Sequence, residues 1–146
     1  MTGGLEVALS CTFVVASQRA RFADTHARLN VVAGWGLTAL LPRAVGVRKA
    51  AEMSITGNFV DADEALRLGL VNHVVPHDQL APFARALALD VAATGAVAEV
   101  LDLYRRGDGL PFAEALALEA EHNAGRRFDP AAFGAAGAAT AARGKP

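Results

Sequence analysis

Residues 2–36 constrain this chain more than any other stretch, because a helix, a strand and a glycine turn follow one another with few connecting residues. Gly3-Gly4 opens a run in which Leu5, Ala8, Leu9 and Thr12 fall at helical intervals, so residues 3–11 read as a short helix with one buried face. Phe13-Val14-Val15-Ala16 is continuous, apolar and β-branched, which suits a strand covered on both faces. Arg21-Phe22-Ala23 predicts a second, shorter strand, and 24–30 a loop or one helical turn. Gly34-Trp35-Gly36 is a turn that frees the backbone twice.

Beyond that stretch the pattern turns mostly helical. A helix over 37–45 must accommodate Pro42 with a kink or a break, and a second over 47–54 ends near Gly57. Asp61-Ala62-Asp63-Glu64 puts acids where a helix begins, and that helix stops by Gly69. Residues 70–75 alternate poorly but are rich in β-branched residues, hence a short strand. His77-Asp78 after Pro76 starts a long helix over 79–93. Two more follow, 96–106 and 111–126, with Pro111 suited to a first turn. From Asp129 the chain is rich in Ala and Gly and predicts one short helix around 131–133, then a loose tail. The class is mixed α/β, with an organised part over 1–80, a helical region over 81–128 and the tail over 129–146.

With 146 residues, 53% of them hydrophobic, the chain can bury one core. A formal net charge of −1 argues against nucleic acid or a polybasic membrane contact. Cys11 is the single cysteine, so no internal disulfide forms, and a reducing compartment such as the cytoplasm fits. The apolar run before Arg19 has no positive residue ahead of it and is interrupted by Glu6, unlike a signal peptide. No apolar run reaches the ~20 residues of a membrane-spanning helix.

Chemistry gathers near the start. Backbone N–H groups at a helix opening favour negative charge, and glycine lets another group come close, so Gly3-Gly4 is a candidate anion-stabilising turn with the Glu6 carboxylate beside it. The bland account is a tight connection followed by an acid that serves the helix dipole. His73 and His77 are four apart but separated by Pro76 onto different elements, so no metal site is assigned. His122 is expected on a solvent-facing helix side. Arg126, Arg127 and Lys145 are either a solvated cluster or contacts for phosphates.

Several ordered blocks carry a resemblance: GGLEVALSC, FVVAS, ARFADTHARL, AGWGLTALLPRAVG, AAEMSITG and DADEALRLGLVNHVVPHDQL. From Thr2 to about Leu80 they resemble, in order and spacing, the active-site segment of the crotonase family, the enoyl-CoA hydratases and isomerases. The match begins mid-pattern, so the chain resembles the C-terminal half. A start assigned too late in a longer reading frame is one expectation, tested by reading the DNA upstream of Met1.

The resemblance implies a crotonase-like βα spiral whose C-terminal helices build a trimer interface, in a homo-oligomer that is a trimer or hexamer. Residues 1–80 would be a partial crotonase core. It implies Gly3 as an oxyanion-hole N–H donor, with a second donor in the first half of the family fold. It implies Glu6 as the first of two acidic groups flanking a water, and the second position, twenty residues on, holds His26. Histidine exchanges protons near neutral pH, with Asp24 close enough to orient it; otherwise His26 merely fills the site while Glu6 works alone, as in single-acid isomerases of the family, or His26 and Asp24 are a surface loop pair. Gly34 and Trp35 fall at the substrate-binding turn, with a core aromatic as the other reading of Trp35. Asn30 and Ala33 depart from the family's glycine and proline. The implied reaction is hydration of a 2-trans-enoyl-CoA, with coenzyme A as part of the substrate and no metal or redox cofactor. The alternatives are an isomerase, an acyl-CoA hydrolase, a non-catalytic remnant, or an interaction module.

Overall fold

The computed structural model describes residues 1–127 and 129–143. They form two compact units, Met1–Ala93 and a second beginning at Thr94.

In the first unit, helix α1 (Gly3–Leu9) leads to strand β1 (Val15–Ser17), strand β2 (Arg21–Phe22) and a tight helical turn at Ala27–Leu29. Helices α2 (Leu37–Val45) and α3 (Val47–Thr56) follow, then strand β3 (Val60–Asp61), helix α4 (Ala62–Arg67), strand β4 (His73–Val75), a second tight turn at His77–Gln79, and helix α5 (Leu80–Ala92). β1 pairs in parallel with β4, Ala16 opposite Val74. β2 pairs antiparallel with β3, Phe22 opposite Val60. Parallel strands need a long crossover, and here β2, α2, α3 and α4 lie between β1 and β4 in the chain.

Leu5 of α1, Leu37 and Leu41 of α2, Met53 of α3 and Val71 are the largest fully buried side chains. Burying each stabilises the unit by roughly 1.5–3 kcal/mol. This cluster fixes the lower face of α1, and with it the orientation of Glu6 next to Leu5. Gly36 (φ +102°) starts α2 and Gly57 (φ +62°) ends α3, both in the left-handed region. α2 runs through Pro42 without a break in the helix. Asp61 caps α4, its Oδ1 accepting from the Glu64 N–H at 2.9 Å.

Two predicted strands shift. β1 starts at Val15 rather than Phe13. The strand expected over 70–75 shortens to His73–Val75, because Gly69 (φ +77°) turns the chain back and the N–H groups of Leu70 and Val71 donate to Ala65 O at the end of α4. Leu70 and Val71 thereby enter the core instead of a ladder.

The second unit holds α6 (Val97–Gly107), α7 (Phe112–Ala124) and α8 (Pro130–Arg143). α8 corrects the expectation of a short helix around 131–133 and a loose tail. Alanine has the highest helix propensity, which outweighs Gly134 and Gly137 here, and Asp129 Oδ1 accepts from Ala131 and Ala132 N–H to start the helix. His122 is also not solvent-facing: it is half-buried, and its Nε2 has no hydrogen-bond partner among the described residues. Arg126 pairs with Glu99 at 3.5 Å, which is the solvated-cluster reading of that arginine. Lys145 lies outside the described residues.

Candidate active site

The site is built from α1, the loop over 23–26 and the turn over 34–36, all within the first unit. Glu6 sits in the first turn of α1 but is only 3% exposed, since it follows Leu5 on the buried side. Its Oε1 accepts from the Trp35 N–H at 2.8 Å and the Leu37 N–H at 3.5 Å. The carboxylate therefore anchors a turn about thirty residues away, and a role confined to the dipole of its own helix does not account for it. Buried polar groups need such partners, because an unpaired one costs its desolvation.

Glu6 Oε2 faces His26 Nε2 at 3.5 Å. The other ring nitrogen of His26, Nδ1, lies 2.6 Å from Asp24 Oδ1, which also accepts the His26 backbone N–H at 3.1 Å. Asp24 is 3% exposed and the His26 side chain 11%. This overturns the surface-pair reading of Asp24 and His26. Burial pushes the Asp24 carboxyl up. Hydrogen bonding from Ser54 and from the His26 backbone and ring, with the charge on His26, outweighs that and holds it below the usual carboxylate range.

Gly3 lies just before Glu6 with an open N–H. The N–H groups of Gly4, Leu5 and Glu6 donate to Met1 O, Thr2 O and Thr2 O, whereas that of Gly3 finds no acceptor among the described residues. A Cβ built on Gly3 would stand 3.1 Å from Cζ3 of Trp35, so the indole lies against this glycine. Trp35 is 70% exposed, which sets aside its reading as a core aromatic. Gly34 occupies the same turn with open space around it, and no side chain approaches within 4 Å of where its Cβ would be.

Residues that sequence reasoning did not single out hold these parts together. Thr2 has φ 53°, an unusual value for a β-branched residue. Its N–H donates to Ala23 O at 3.0 Å and its hydroxyl bonds that of Thr25, so the residue before Gly3 is tied to the loop that carries Asp24 and His26. Strain of this kind persists only where neighbours enforce it. Ser54 belongs to α3, and its spacing carries no signal of a partner at Asp24. Asn30 takes a left-handed conformation (φ 55°), which asparagine tolerates better than most other side chains. His73 and His77 are engaged separately, His73 against the Phe83 ring with centroids 5.0 Å apart and His77 Nδ1 with Ser17 Oγ at 3.1 Å.

Chemically, the cluster is a carboxylate and an imidazole facing each other, a second carboxylate behind the imidazole, and an unpaired N–H nearby. Such a set can move protons beside a group that develops negative charge.

A family profile described as enoyl-CoA hydratase/isomerase matches residues 1–122. Among curated relatives, a short-chain-enoyl-CoA hydratase of Clostridium acetobutylicum is 38% identical over 82% of this chain and 46% of its own length. An (E)-benzylidenesuccinyl-CoA hydratase of Thauera aromatica is 43% identical over 62% of this chain and 35% of its own. The crystal structure of an enoyl-CoA hydratase from Mycobacterium tuberculosis superposes with a TM-score of 0.72 at 49% identity, covering 82% of this chain and 55% of the other. The fold is thus that of these crotonase-type enzymes. The chain spans about half the length of the curated relatives it matches, 46% in the Clostridium case.

Proposed function

The chain belongs to the enoyl-CoA hydratase/isomerase family, and from that premise we propose that it supplies the acid–base side of a site that hydrates 2-trans-enoyl-CoA thioesters. The observation that carries this reading is the buried Glu6–His26 pair, 3.5 Å apart, beside the open N–H of Gly3. A water near both groups attacks Cβ of the substrate, and the π electrons move toward the thioester oxygen. One group of the pair takes the proton that the water loses, and the other delivers a proton to Cα. The product is the 3-hydroxyacyl-CoA, and no electrons leave the system.

The Gly3 N–H polarises the thioester carbonyl and stabilises the enolate, with a second donor completing the pair as the family resemblance implies. One donor of this kind contributes ~3–4 kcal/mol in well-studied enzymes. Gly34 and Trp35 form the wall past which the acyl group lies. Coenzyme A enters as part of the substrate, and the proton transfers use only side chains of the protein. The working form on this reading is a cytoplasmic homo-oligomer, a trimer or hexamer. No helix among the described residues is long and apolar enough to cross a membrane, and the single cysteine, Cys11, is exposed.

The test is loss of the conjugated enoyl-thioester absorbance with crotonyl-CoA. Glu6→Gln keeps an oxygen to accept the Trp35 N–H, so the fold should survive while turnover falls by about 10²–10⁴-fold. Unchanged turnover in this variant removes Glu6 from the mechanism. A wild-type protein that moves the double bond of crotonyl-CoA without adding water is an isomerase, and one that releases free thiol is a hydrolase.

A further inference from the structure

The hydrogen bonds around His26 leave a proton unaccounted for. An ionised carboxylate accepts and cannot donate, so the 2.6 Å contact with Asp24 Oδ1 requires the proton of the imidazole to be on Nδ1. Nε2 is then a bare acceptor when the ring is neutral. Glu6 Oε1 is occupied by two backbone N–H groups, and Oε2, also an acceptor, faces Nε2 at 3.5 Å. Two lone pairs confronting each other in a buried place repel. The arrangement is satisfied by one proton held between them, or by a water that donates to both.

We infer that Asp24 and His26 act as one acid–base unit, in which Asp24 is a positioning residue that pins the Nδ1 proton so that only Nε2 exchanges a proton with Glu6 or with the water beside it. This rests on the hydratase reading for its chemical purpose. The proton count is consistent with that purpose. With one proton on the Glu6–His26 pair and Asp24 ionised, the three groups carry a net charge of −1 whichever of the two holds the proton. When the base takes a proton from water and the acid gives one to Cα, the pair still holds one proton, now on the other member. Return of that proton across the gap between Nε2 and Oε2 resets the site without exchange with bulk solvent. Asp24 supplies the negative charge that a histidine in place of a carboxylate would otherwise remove.

The experiment is ¹⁵N NMR of the imidazoles in the 146-residue protein at neutral pH, with the His26 signals assigned by their absence in His26→Gln, alongside crotonyl-CoA turnover. We expect the wild type to keep its proton on Nδ1 and Asp24→Asn to lose that preference, with turnover falling by roughly 10²–10⁴-fold, the range of acid–base groups. Asp24→Glu, which keeps the charge, should recover the Nδ1 proton and part of the rate. If Asp24→Asn does not fold, the wild-type tautomer and the Asp24→Glu variant still decide the matter. A wild-type His26 with its neutral proton on Nε2, or an Asp24→Asn variant that keeps the Nδ1 tautomer and the full rate, overturns the inference. The expected tautomers without wild-type turnover would sink the hydratase reading and uphold the Asp24–His26 unit.

Discussion

At the scale of residues, a carboxylate can be judged by what burial costs it and what its partners return. Asp24 is taken out of water, which alone favours its neutral form, yet hydrogen bonds from Ser54 and His26 keep the carboxyl below its ordinary range. A folded-state pKa below the unfolded value of ~3.9 means that folding favours the ionised form. The resulting stabilisation is complete above the unfolded pKa and is lost as pH falls through the folded one. Wild type and Asp24→Asn should therefore differ most in urea midpoint near neutral pH. That difference should shrink progressively below about pH 5. Equal differences at pH 7 and at strongly acidic pH would mean that the carboxylate charge contributes nothing to the fold. Glu6 behaves differently, because its Oε1 accepts from backbone N–H groups that a glutamine oxygen also satisfies. Loss of its charge should therefore be felt little in folding and, on the proposed reading, mainly in turnover.

At the scale of elements, the placement of helices follows from punctuation that can be read in the chain. Gly57 ends α3 at φ +62°, and a Cβ there would come within 2.7 Å of Cδ and Nε of Arg28, whose guanidinium bonds Thr56 O and Asn58. Gly57→Ala should therefore cost more than the ~1 kcal/mol of a left-handed alanine, since Arg28 must also leave its place. A thermal melt of the variant within experimental error of wild type would show that the end of α3 is loose. The same punctuation made most helices legible: Gly57, the Asp61 cap and Pro111 mark ends that the structure keeps. Strand limits were less legible, because Leu70 and Val71 look like strand residues but bury themselves by wrapping the end of α4. In the candidate site, the structure brings together Glu6 and His26, which the spacing of the family pattern pairs, and Asp24, which lies near His26 in the chain. Ser54, Thr2 and the N–H groups of Trp35 and Leu37 were not legible, since their partners lie about twenty to thirty residues away and only the folded backbone brings them together.

At the scale of the whole molecule, the buried core and the candidate site are concentrated unevenly. Every buried hydrophobic residue among the described ones, from Leu5 to Val71, belongs to the first unit, as do Glu6, Asp24, His26 and Gly3. Helices α6, α7 and α8 contain no fully buried residue. Packing of an amphipathic face supplies most helix stability in proteins, so these helices should open at lower free energy than α1, α2 and α3. Hydrogen exchange should then show the slowest amides around Leu37, Leu41 and Met53, and fast exchange along α8. It follows that a chain ending at Ala93 should keep a cooperative thermal transition and the Nδ1-protonated form of His26, because Gly3, Glu6, Asp24, His26, Trp35 and Ser54 of the candidate site all lie before that point. Leu41→Ala in the same shortened chain should remove about 2–5 kcal/mol, the cost of emptying a packed core position. If the shortened chain melts without cooperativity or loses the His26 tautomer, the second unit is part of what holds the site, and the acid–base geometry is a property of the full chain.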